Sequence, residues 1–126
     1  MSDLGAVKRE IDLLEHLQKN LADIATRSDD RRRNDLIDLR RQLAAKLISV
    51  GRVAEPVIIE SGDPELLKTY RQKISNMRFT ASMHQADWPA VKLGERPAEY
   101  TASAKAVRET NREFIAWMRD VLARLR

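Results

Sequence analysis

The chain has 126 residues, 33% of them charged, a net charge of +4, four glycines, four prolines and no cysteine. That length suits one domain with a single core, and the missing cysteine excludes thiolate nucleophiles, disulfides and cysteine-ligated metal sites. No apolar run has the length of a membrane span, and the opening MSDLGAVKRE lacks the apolar core of a signal peptide, so a cytoplasmic location is expected.

The composition favours helix formers, and the spacing of apolar residues gives four helices. The first is expected over residues 3–27, capped by Ser2 or Asp3. Its inward seam is Leu4, Val7, Ile11, Leu14, Leu21 and Ala25, with Gln18 as a polar interruption. Leu13, Leu17 and Ile24 widen the face. The polar stretch TRSDD, residues 26–30, breaks the pattern, and Asp29 or Asp30 is expected to cap a second helix over 30–52. Its seam is Leu36, Leu39, Leu43, Leu47, Val50 and Ala54, widened by Ile37, Ala44 and Ile48. Gly51 and Pro56 are expected to end it.

Residues 53–62 are then expected as a strap against the bundle, because Val57, Ile58 and Ile59 cannot all face water cheaply. SGDPE restarts a helix. Asp63 is the cap, Pro64 takes the first helical position, and Glu65 meets the positive end of the dipole. The third helix, 64–87, carries Leu67, Tyr70, Ile74, Met77, Ala81, His84 and Trp88 on one side. Pro89 should stop it, since its ring clashes with the preceding turn. A linker at 89–97 leads to a fourth helix over 98–125. Its seam is Tyr100, Ala104, Val107, Asn111, Phe114, Met118, Val121 and Leu125, flanked by Ile115, Trp117 and Leu122. Together these elements predict an all-α, antiparallel up-down four-helix bundle in one domain, residues 1–126.

Three polar residues fall on inward positions: Gln18, His84 and Asn111. An amide in an apolar seam fixes register or partner choice, unless Gln18 and Asn111 satisfy each other or a buried water. Tyr100, Phe114 and Trp117 around Asn111 offer an alternative, a lined ligand pocket. His84, in the last turn of its helix, is expected to be half-buried, where an imidazolium would interact favourably with the dipole. His16 falls on the far side of its own helix.

The inventory argues against catalysis. Glu-x-x-His is absent at both histidines, the four seams contain no paired carboxylates, and Gly62 and Gly94 stand alone rather than in a phosphate loop. Ser82 and His84 do not share a helix face, which breaks any triad with Asp87. No metal and no cofactor is expected.

Phe79 and Met83 point away from the third seam, and Trp117 lies beside the fourth. The expected function is therefore a non-catalytic interaction module, an adaptor, regulator or chaperone-like binding protein. Phe79, Met83 and Trp117 would contact a protein partner or a second copy in a homodimer. An alternative is phosphotransfer through His84. The chain resembles histidine phosphotransfer domains in length and expected architecture. That family's lysine, at the third or fourth position after the histidine, is replaced here by Asp87 and Trp88. A weaker alternative is non-specific nucleic-acid binding through Arg31, Arg32 and Arg33 with Arg27, Arg40 and Arg41. The acidic Asp29, Asp30, Asp35 and Asp38 among them argue for a solvated, salt-bridged surface instead.

Overall fold

The computed structural model describes residues 3–24, 26–92 and 94–125, without the side chain of Val91. Four helices follow in order: α1 Leu4–Ile24, α2 Arg32–Glu60, α3 Pro64–Asp87 and α4 Pro97–Arg124. A single 3-10 turn, Ala90–Lys92, lies between α3 and α4 and packs on α2. Each long helix packs against its two neighbours, so α1, α2, α3 and α4 close a ring. Side-chain bonds give the directions. Asp12 and Glu15 of α1 meet Arg119 near the end of α4, while Gln18 further along α1 meets Arg108. Glu55 near the end of α2 meets Arg71 near the start of α3. Neighbours run antiparallel, as the short connections require.

Local chemistry sets most of the boundaries. The Asp3 carboxylate accepts from the Ala6 N–H at 2.9 Å and starts α1. Ser2 and Ala25 lie outside the described residues. Asp63 accepts from the N–H groups of Glu65 and Leu66, with Pro64 behind it, and α3 ends at Asp87, ahead of Pro89. Pro97 opens α4.

The start of α2 differs from expectation. Neither Asp29 nor Asp30 caps it; the helix begins at Arg32 with no side-chain cap. Asp29 is engaged elsewhere. It holds Arg27 by two hydrogen bonds of 2.7 and 2.6 Å and also accepts from the Arg31 N–H. Arg27 reaches Asp35 as well, at 2.7 Å. The guanidinium holds the Asp29 carboxyl down at about 2.

The larger correction is at the end of α2. The 53–62 strap does not exist as a separate element, because α2 continues to Glu60 with Pro56 inside it. Ala54, Val57 and Ile58 stay on the core side, continuing the seam of Val50, while Pro56 is exposed. A proline removes one ladder bond and crowds the carbonyl four residues back, at a cost of about 3 kcal/mol. Burying three apolar side chains in register offsets that. The stop comes at Gly62, whose φ of 72° suits a residue without Cβ after a helix end. Pro56→Ala is accordingly expected to raise stability by about 1–2 kcal/mol, the restored bond outweighing the extra freedom of the unfolded chain. A urea denaturation midpoint checks this, and an unchanged or lower midpoint would mean the proline is accommodated without strain.

Gly51 does not end α2 either. It sits at the α2–α3 contact, where an added Cβ would lie 3.6 Å from the Arg78 guanidinium and 3.8 Å from Ile74. Three of the residues expected to widen the inward face turn outward: Leu13 on α1, Ile37 and Ile48 on α2. Ala44 is exposed too.

Two apolar clusters fill the bundle. The larger runs through its middle and one end, with Ile11, Leu14, Leu47, Ile58, Tyr70, Met77, Phe114 and Met118 among its members. The smaller closes the other end, where Ile24, Leu36 and Tyr100 meet Trp88, Ala90 and Ala104. Between the two clusters lies the layer that carries the site.

Candidate functional site

The layer between the clusters is built from small and polar side chains. Ala22 from α1, Ala81 from α3, and Ala104 and Val107 from α4 face one another where the layers on either side hold large residues. Four helices held apart by the bulk above and below cannot close over alanines, and a cavity of about 280 Å³ results. Leu21, Leu36 and Leu43 complete its apolar wall.

Its polar groups are Gln18, Arg40, His84, Gln85, Tyr100, Thr101, Arg108, Asn111 and Thr26; among the described residues, no acidic one lines it. Gln18 donates to the Arg108 carbonyl at 2.6 Å, a bond across the α1–α4 contact. It does not bond Asn111. The Asn111 side chain is 2% exposed, and its Oδ1 has no partner among the described residues. Nor has the buried Nη2 of Arg40. Burial disfavours the Arg40 charge, while the Tyr100 hydroxyl beside it favours that charge. Buried unpaired polar atoms are uncommon in folded proteins because each forgoes its hydrogen bonds to water. Two such atoms belong to residues that line one cavity, which makes that cavity the candidate site.

By residue type Arg40 groups with the surface arginines. Its position was legible, however: it lies four residues after Leu36 and three before Leu43, inside the α2 seam. Of the residues expected around an Asn111 pocket, Tyr100 lines the cavity and Phe114 and Trp117 do not.

His84 also lines this cavity. Its Nδ1 is 2.7 Å from the Ser103 Oγ on α4, and its ring lies 5.5 Å from the Tyr100 ring, which in turn meets Trp88 edge-on at 5.7 Å. The imidazolium expected from the helix dipole is not favoured here. Burial and then Arg40 push the His84 pKa down to about 4, and Asp87 only partly opposes them. His84 is neutral at pH 7. Its folded pKa lies below its unfolded value near 6.5, so between about pH 6.5 and 4 the unfolded chain binds the extra proton. Stability is expected to fall as pH drops through that window and to level below it. Discounted for the partial solvent exposure of the ring, the loss is about 1–2 kcal/mol. Denaturation midpoints across the window should show the slope, and His84→Gln should remove it; a wild-type curve without that slope would mean the ring is solvated.

The outward candidates separate. Phe79 is 64% exposed and Met83 48%, and both lie on the outer side of α3. Trp117 does not join them. It is half-buried against the larger cluster, with the Lys73 ammonium 5.7 Å from its ring. Three of the arginines weighed for nucleic-acid binding are engaged: Arg27 is held by Asp29 and Asp35, Arg32 donates to the Arg27 carbonyl, and Arg40 lines the cavity; Arg31, Arg33 and Arg41 are exposed. His16 is exposed.

Fold and site together define a four-helix bundle with a partly open polar–apolar cavity near one end. No protein-family model, curated protein or solved structure matches the chain. Among the described residues, no helix is long and apolar enough to cross a membrane.

Proposed function

We propose that the protein is a small, non-catalytic binding module whose bundle holds a small molecule in the cavity beside Arg40 and Asn111. The observation that carries this is two buried polar atoms without partners among the described residues, Arg40 Nη2 and Asn111 Oδ1, on residues that line one cavity together with Leu21, Leu36, Leu43 and Val107. An apolar enclosure with a few convergent polar groups is the usual form of a ligand site. The histidine at its edge is neutral and bonded to Ser103, which suits a lining residue better than a phosphate acceptor facing solvent.

The test is an amide NMR titration with small neutral, anionic and cationic amphiphiles. Binding should move the resonances of Ala81, Ala104, Val107 and Asn111 together. Shifts spread over the outer surface, or no shifts with any of the compounds, would sink the cavity reading.

A second reading is a protein interface on α3, favoured by the exposure of Phe79 and Met83 one turn apart. Light scattering tests its homodimeric form. A wild-type dimer that Phe79→Asp converts to a folded monomer would support it, and a wild-type monomer would remove that form.

A further inference from the structure

We infer that the cavity selects an amphipathic carboxylate, with the carboxylate against the Arg40 guanidinium and the apolar body along Leu21, Leu36, Leu43, Ala104 and Val107. The inference rests on the cavity being a ligand site and adds the chemical class of the ligand.

Charge balance carries it. Among the described residues, the cavity is lined by arginine side chains and by no carboxylate. Several acidic groups elsewhere are engaged: Asp29 and Asp35 hold Arg27, and Glu10 holds Lys46 at 2.8 Å. A guanidinium drawn out of water is stable only when an anion or a full set of acceptors meets it. Arg40 has the Tyr100 phenol beside it and a buried Nη2 with no acceptor. A ligand carboxylate would supply the missing charge and acceptor together, in the planar geometry that the guanidinium fork matches. When the Tyr100 oxygen accepts from Arg40, its own hydrogen is free to donate to the same carboxylate. Asn111 can turn its amide nitrogen toward a second carboxylate oxygen, since the two ends of an amide exchange by a half-turn.

The rest of the wall sets the remainder of the ligand. Leu21, Leu36, Leu43, Ala104 and Val107 give the cavity an apolar side against which the body of the ligand would lie. A cation would face an arginine across a low-dielectric space, which is repulsive. A neutral alcohol of the same length would gain the apolar contact and leave the guanidinium unpaired.

The experiment uses the whole chain and three six-carbon compounds: hexanoate, hexan-1-ol and hexylammonium. Affinities come from amide shifts at pH 7 in low salt. Hexanoate is expected to bind about 10- to 100-fold more tightly than hexan-1-ol, the margin of a hydrogen-bonded charge over its neutral counterpart, with hexylammonium weakest. Arg40→Met should bring hexanoate down to the level of hexan-1-ol. Arg40→Gln should do the same, and it serves if the methionine variant does not fold. Arg41→Met, at an exposed neighbouring position, should change nothing. Equal binding of hexanoate and hexan-1-ol by the wild type would overturn the carboxylate and leave the cavity reading in place. So would a preference for hexanoate that survives in folded Arg40→Met. No binding of any of the three would overturn the cavity reading as well.

Discussion

Phe114→Ala is expected to cost about 3–5 kcal/mol of stability, while Phe79→Ala costs less than about 0.5 kcal/mol. The residue type and the substitution are the same in both, so only the surroundings differ. Phe114 is 1% exposed, stacks obliquely on Tyr70 at 6.3 Å, and belongs to the larger cluster. Removing its ring leaves a void among residues drawn from all four helices, which cannot collapse to fill it. Phe79 faces outward, and most of its ring is already in water. Against the roughly 5–15 kcal/mol that holds a typical domain of this kind together, about a fifth or more of the total rests on Phe114. Paired urea denaturation curves decide the matter. A large loss for Phe79→Ala would mean that its ring is covered in solution, by a second copy or by a different seating of α3, and the outward assignment would fall.

The same contrast explains what could be read from the residues. The turn of α3 that faces the core was legible because Asp63–Pro64 and Pro89 act locally: a carboxylate caps, one proline fits the first turn, and another cannot follow a helix. The observed helix runs Pro64–Asp87, as expected. In α2 the same local logic misled. Gly51 and Pro56 are stop signals on intrinsic propensity, but Ala54, Val57 and Ile58 continue the buried side of the helix, and tertiary packing overrode the proline. Outward-turned Ile37, Ile48 and Ile59 show the converse. They recur every eleven residues, three full turns, so they line one flank of α2 that hydrophobicity alone would assign to the core. A pocket at Asn111 and Tyr100 could be read from the residues, but its other walls could not. It exists because Ala22, Ala81 and Ala104 come to the same level on three different helices, and level is a property of the assembled bundle. Arg40 was legible in principle. Its place between Leu36 and Leu43 is the seam position, and it was overlooked because arginine is so often a surface residue.

Asn111→Leu is expected to raise stability by about 1–2 kcal/mol and to weaken ligand binding. The Asn111 Oδ1 is buried without a partner, and leucine removes that unpaired acceptor while its extra bulk has the neighbouring cavity to enter. A residue that lowers stability at a buried position while facing a cavity fits a site kept for binding, since activity and stability compete for the same positions. The rival account is that Asn111 fixes the register of α4, at the same cost in stability. The two accounts separate in what the variant loses. If Asn111 serves the cavity, the leucine protein unfolds at higher urea with an unchanged denaturant slope, stays in the same oligomeric state, and binds hexanoate more weakly. If it serves register, the slope falls or the mass in solution changes, because an apolar seam without its one amide tolerates more than one alignment of the helices. A variant that is less stable than the wild type and still well folded would defeat both accounts. It would show that the Oδ1 is satisfied in solution by water held in the cavity, making that water part of the fold.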